Sequence, residues 1–170
     1  VGAAGHYYQT DDGRKVYDTF SGLWTCGLGH CHPRIVAAVQ KQVATLDYAM
    51  GFQAGHDKVF ELAEKVTALA PQPFKQIFFT NSGSEANDTV LRLARFYWQA
   101  QGSPGRSIVI SRHNAYHGST IAGASLGGMK WMHEQGLLPM PGVAHINQPY
   151  WFEHTAGLSP AEFGLAAARE

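Results

Sequence analysis

The chain has 170 residues, enough for one sizeable core and too few for two full-sized domains. Hydrophobic residues make up 45% and charged residues 15%, which argues against disorder. Lys plus Arg (13) equals Asp plus Glu (13), so no bulk positive charge points to nucleic acid or an anionic membrane.

The start, Val1 to Tyr7, lacks the basic and apolar blocks of a secretory signal. It also lacks an initiator Met, which is read as a preceding segment removed or left out. His6–Gln9 and Lys15–Phe20 are predicted strands, with a hairpin turn at Asp11-Asp12-Gly13 because Asp-Gly tolerates positive φ. Cys26 and Cys31 are the only cysteines; with no second ligand pair they read as buried, reduced thiols beside a turn, and a reducing, cytoplasmic setting is expected. Pro33 opens a predicted helix with Ile35, Val39, Val43 and Leu46 recurring inward. Asp57 is the expected cap of a second, with Val59, Leu62, Val66 and Leu69 inward. Gln76–Thr80 reads as a buried strand, Ser84–Gln101 as a long amphipathic helix, and Ser107–Ser111 as a second buried strand. Ser119–Leu126 is a predicted helix; beyond Gly127-Gly128 the chain reads mostly as loop, with a strand at Val143–Ile146. Ser159-Pro160-Ala161-Glu162 is a capping box opening a last helix that reaches Glu170 without a stop signal. Helices alternating with apolar strands predict an α/β fold around a mainly parallel sheet. No apolar stretch is long enough to span a membrane.

Thr80-Asn81-Ser82-Gly83-Ser84-Glu85 sets a short polar turn between a strand and a helix. Ser82 and Glu85 fit a capping box, which leaves the amides of Gly83, Ser84 and Glu85 pointing out of the positive helix end. Gly83 keeps no side chain between an anion and the backbone, and the Ser84 hydroxyl adds a donor, so the turn suits a phosphate. A capped helix without ligand would use the same residues. After the next strand, His113-Asn114-Ala115-Tyr116-His117-Gly118 enters the same end of the sheet, where open α/β folds bind ligands. Tyr116 could lie flat on a planar heteroaromatic ring, and His113 or His117 could move a proton or merely orient backbone.

These residues resemble the class III aminotransferases of fold type I, with the nearest likeness to ω-amino-acid–pyruvate transaminases. The likeness is carried by Phe20-Ser21-Gly22-Leu23-Trp24, Phe79-Thr80-Asn81-Ser82-Gly83-Ser84-Glu85-Ala86-Asn87-Asp88, Tyr116-His117-Gly118-Ser119-Thr120, Ser125-Leu126-Gly127-Gly128-Met129 and His145-Ile146-Asn147-Gln148-Pro149-Tyr150. The resemblance implies pyridoxal 5'-phosphate as cofactor, its phosphate on Gly83 and Ser84 and its ring under Tyr116. It implies that Trp24, with Tyr116, lines the substrate pocket and that Phe52 reaches the active site of a neighbouring subunit, in a homodimer or dimer of dimers. Residues 1–55 would belong to the small domain and 56–170 to the large cofactor domain. The reaction would be a ping-pong exchange between an ω-amino acid or amine and pyruvate. The family's Schiff-base lysine and the acid facing the pyridine nitrogen would lie beyond Glu170, so no catalytic residue is assigned within this chain, and the chain alone is expected to be inactive.

Three rival readings remain. Gly123-Ala124-Ser125-Leu126-Gly127 fits a nucleophile elbow with Ser125 as nucleophile, followed by Glu134 and His154, as in an α/β-hydrolase. Gly123 and Gly128 have P-loop spacing, but Met129 stands where lysine is required. A non-catalytic binding or dimerisation module could also keep the cup.

Overall fold

The computed structural model describes residues 1–154 and 157–170, without the side chain of residue 154. The chain divides into two compact units, Val1–Ile77 and Phe78–Glu170.

In the first unit, strands β1 (Gly2–Ala4), β2 (Tyr7–Gln9) and β3 (Lys15–Tyr17) form an antiparallel sheet in that order. The predicted hairpin is β2–β3. Thr10 and Arg14 close a three-residue loop whose last residue, Gly13, has φ +83°. Alternation puts Tyr7 opposite Tyr17, with ring centroids 5.2 Å apart, and turns Tyr8 to the other face. Strand β1 is an addition to the expected pair. The second strand ends at Tyr17 rather than Phe20, because the Asp18 carboxylate takes the Phe20 and Gly22 amides and turns the chain.

Helix α1 (Pro33–Thr45) starts at Pro33 as expected. Helix α2 (Asp57–Leu69) is capped by His56, whose Nδ1 accepts from the Lys58 amide, and not by Asp57, which occupies the first helical position. The apolar stripes of both helices, expected inward, are exposed: Ile35, Val39 and Val43 on α1, Val59, Leu62 and Leu69 on α2. Periodicity marks the face to be covered, and nothing in the described chain covers it.

In the second unit, α3 (Gly83–Ala100) leads to β4 (Val109–Arg112), which pairs in parallel with β5 (Val143–Ile146). Between them run α4 (Ile121–Leu126) and the short α5 (Lys130–His133); α6 (Trp151–His154) and α7 (Pro160–Arg169) follow. Both α5 and α6 replace expected loop. Helix α7 carries the predicted capping box in full. Among the described residues the expected strand Gln76–Thr80 finds no partner, and a strand exists only by its neighbours' hydrogen bonds. Buried residues gather where α3, α4 and β4 meet: Leu91, Ser111, Ala124 and Ser125.

Candidate functional site: an anion cup and its tethered loop

The second unit brings Gly83 and Ser84 together with the loop that follows Tyr116. Ser82 is extended, and its Oγ accepts from the Glu85 amide at 3.1 Å. The return bond of the predicted box reaches one residue further back: Glu85 Oε2 accepts from the Asn81 amide at 2.9 Å. With Glu85 and Ala86 amides used inside the turn, the amides left without an acceptor among the described residues are those of Gly83 and Ser84. The expected three open amides are therefore two. Open space lies beside Gly83.

The Ser84 hydroxyl accepts from the Ser119 amide at 3.1 Å. Its oxygen is thereby engaged and its proton remains available for donation outward. Two further bonds run from the same face of α3 to the same loop. Asn87 Nδ2 donates to the His117 carbonyl at 2.7 Å, and the Thr120 hydroxyl donates to Asp88 Oδ1 at 2.7 Å. Thr120 also caps α4 by accepting from the Gly123 amide at 3.1 Å. Ser84, Asn87 and Asp88 stand at i, i+3 and i+4, which is why one helix face can hold residues 117–120 in place. Between these tethers Gly118 has φ +120°, and a Cβ there would lie 2.4 Å from Ser84 Oγ.

Tyr116 precedes the tethered stretch and is 62% exposed. Its loop is pinned from behind, where the Asn114 amide donates to Gly128 O and the Gly128 amide to Ala115 O, both at 2.9 Å. A Cβ at Gly128 would stand 2.1 Å from the Arg112 carbonyl, so only glycine permits this approach. His145 and His133 each present Nε2 to the Gly127 carbonyl at 2.8 Å, and the His113 ring stacks on His145 at 5.6 Å. His133 and His145 thus anchor the glycine turn, while the His113 side chain only stacks on His145, and His117 contributes its carbonyl to Asn87. Sequence reasoning missed Asn87, Asp88, Ser119 and Thr120, although the helical spacing of the first two with Ser84 was available as a signal. A cleft of about 430 Å³ opens past the carboxyl ends of β4 and β5, lined by His113, Asn114, Asn147, Gln148, Phe163 and Glu170.

Trp24 and Phe52 belong to the first unit, where both rings are exposed, Trp24 at 83%. Trp24 ends a run of four left-handed residues, Ser21, Gly22, Leu23 and Trp24, with φ of 50°, 58°, 56° and 67°. Cys26 is half-buried and Cys31 exposed, so the expectation of two buried thiols is corrected. Among the described residues no group of three His, Cys, Asp or Glu is placed to hold a metal ion, and no helix is long and apolar enough to cross a membrane.

The hydrolase reading fails on geometry. Ser125 lies inside α4 rather than on a strand-to-helix elbow, is 0% exposed, and its Oγ accepts from the Met140 amide at 3.0 Å. The side chain of His154 lies outside the described residues.

A phosphorylated planar ring fits what is present: two unpartnered amides and a hydroxyl for the phosphate, and an exposed aromatic face for the ring. The chain is similar to the putrescine–pyruvate aminotransferase of Pseudomonas aeruginosa, at 47% identity over 169 residues, covering 99% of this chain and 37% of that protein. It is 50% identical over 152 residues to the β-alanine–pyruvate aminotransferase of the same organism, covering 88% of this chain and 34% of that one. The ω-transaminase of Pseudomonas jessenii, solved in complex with PMP, superposes with a TM-score of 0.94 at 38% identity, over 100% of this chain and 38% of that one. The chain thus has the fold of these transaminases, fold type I, and spans little more than a third of their length. The pattern of the family described as aminotransferase class-III matches residues 1–160, and the chain belongs to that family.

Proposed function

We propose that this chain is part of a longer pyridoxal-phosphate-dependent transaminase that moves an amino group from an ω-amino acid or amine to pyruvate. The observation that carries the reading is the convergence of the Gly83 and Ser84 amides and the Ser84 hydroxyl at the start of α3, tied by three hydrogen bonds to the loop after Tyr116. Two of the relatives are named as pyruvate aminotransferases and the third as an ω-transaminase, which supports the reaction class.

Gly83 and Ser84 bind the cofactor phosphate, and Tyr116 covers one face of its ring. When bound, the cofactor supplies an electron sink and a carrier for nitrogen. The residues of this chain bind and orient it; the proton-transferring lysine belongs to the remainder of the longer enzyme. Trp24 and Tyr116 each serve donor binding, and Phe52 serves the site of a second subunit in a cytoplasmic homodimer or dimer of dimers. Residues 1–55 belong to its small domain and 56–170 to the cofactor domain. The exposed apolar stripes of α1 and α2 are covered by the remainder of that enzyme.

The test is binding of pyridoxamine phosphate to the full-length apoenzyme, together with pyruvate-dependent consumption of β-alanine or putrescine. Ser84→Ala should weaken binding about tenfold, the loss of about one hydrogen bond to a charged group. Unchanged binding would sink the phosphate assignment; absence of turnover with any amine donor would sink the reaction.

A further inference from the structure

Four consecutive left-handed residues, only one of them glycine, do not form by local preference. The run Ser21–Trp24 is closed like one turn of a left-handed helix, the Trp24 amide donating to Phe20 O at 2.9 Å and the Cys26 amide to Ser21 O at 2.8 Å. The turn buries little of its own apolar surface, since Leu23 and Trp24 both remain exposed. Among the described residues packing offsets little of the strain, and hydrogen bonds from outside the turn hold it.

That fixture is Asp18. Its side chain is only 6% exposed. Oδ2 accepts from the Gly22 amide and faces His30 Nε2, both at 2.7 Å, while Oδ1 accepts from the Phe20 amide at 3.0 Å. The clamp is tied to the β1–β2 connection and to β2. The His30 backbone exchanges two hydrogen bonds with Gly5, at 3.0 and 2.7 Å, the Asp18 amide donates to His6 O at 2.8 Å, and the His30 ring lies 4.6 Å from that of Tyr8 on β2. The turn also rests on this ring, because a Cβ at Gly22 would meet His30 Cε1 at 3.4 Å. A three-stranded sheet, a buried carboxylate side chain and a strained turn thus end in one displayed indole.

We propose that Asp18 is a positioning residue that sets where the Trp24 indole stands, and through it the fit of the amino donor. The second clause rests on the proposed pocket role of Trp24; the first does not. Asp18→Asn keeps size but offers one acceptor oxygen, so at least one of the three donors faces an amide N–H instead.

The experiment labels the full-length enzyme with 5-fluorotryptophan and identifies the Trp24 ¹⁹F line by its loss in Trp24→Phe. In D18N the Trp24 line should shift or split while the other tryptophan lines stay, and pyridoxamine phosphate affinity should change by less than about twofold. Donor KM should rise about tenfold, the equivalent of one lost hydrogen bond. On a Trp24→Ala background D18N should add nothing to KM. If D18N does not fold, His30→Ala withdraws one donor, spares both backbone bonds to Asp18, and should move the same line less. An unmoved Trp24 line in the folded variant, or an equal KM effect with and without the indole, overturns the proposal. If Trp24→Ala alone leaves donor KM unchanged, the pocket reading fails, and the ¹⁹F line still decides whether Asp18 places the turn.

Discussion

Replacing Gly118 with alanine probes the tethered loop at its tightest point. An added Cβ would lie 2.4 Å from Ser84 Oγ and 2.9 Å from Ser84 Cα and Cβ, at a φ of +120° that alanine rarely adopts. Holding the wild-type geometry would cost about 1–3 kcal/mol in backbone strain and about 1–3 kcal/mol in overlap. The loop has a cheaper escape, which is to lift away from α3. That route breaks the Ser119–Ser84 and Asn87–His117 bonds, at about 1 kcal/mol each. The relaxed loop must be returned to the strained geometry for binding, so the expected cost of restoring the cup is the difference between the two, about 2 kcal/mol. Affinity for pyridoxamine phosphate in the full-length apoenzyme should therefore fall by about 30-fold. Equilibrium dialysis measures it directly, with circular dichroism to confirm folding. Gly105→Ala is the control, since open space surrounds that position. A folded G118A enzyme with wild-type affinity would refute the close approach of this loop to Ser84.

Other consequences are checked more simply. Ser125→Ala should lower stability by about 1 kcal/mol, because the part-buried Met140 amide loses its acceptor; a thermal melt at wild-type temperature would contradict this. A fluorophosphonate should not label Ser125, which mass spectrometry of the tryptic peptide would show. The Asp18 carboxyl is held below its ordinary value of 3.8, chiefly by its hydrogen bond with His30, against the opposing effect of burial, and further by the Gly22 and Phe20 amides and Tyr8. A depressed folded value contributes stability that is complete above the unfolded value and is lost as pH falls through the folded one. Thermal unfolding followed downward from about pH 5 should then lose stability more steeply in wild type than in D18N. Parallel acid limbs in the two proteins would disprove the linkage.

The cup was legible because its causes are local. A cap, a glycine and a helix start within Ser82–Glu85 place two amides without help from distant residues. Likewise Pro33 and Ser159 start their helices where the sequence puts them. What failed depends on distance along the chain. Gln76–Thr80 has the composition of a strand and no partner to make it one. The stripe of Ile35, Val39 and Val43 was recognised, while its burial depends on what lies over it. The turn at Trp24 was invisible for the same reason: Ser21 and Leu23 have no left-handed preference, and their φ values follow from a carboxylate–imidazole pair twelve positions apart in sequence.

The cup and the displayed indole solve one physical problem in the same way. A side chain that must meet a ligand cannot also spend its hydrogen bonds on holding itself still. At α3 the work falls to Asn87, Asp88, Thr120 and the oxygen of Ser84, so the Ser84 proton and two amides stay available. At Ser21–Trp24 it falls to Asp18 and His30, so the indole carries no structural bond of its own. In each case the ordering cost is met during folding rather than at binding, which is what converts a contact into affinity. The two supports share no residue. Changes at Asp18 should therefore act on donor fit, and changes at Asn87 or Gly118 on cofactor retention. A variant at Asn87 that altered donor KM at saturating cofactor, with its affinity for pyridoxamine phosphate intact, would break that separation.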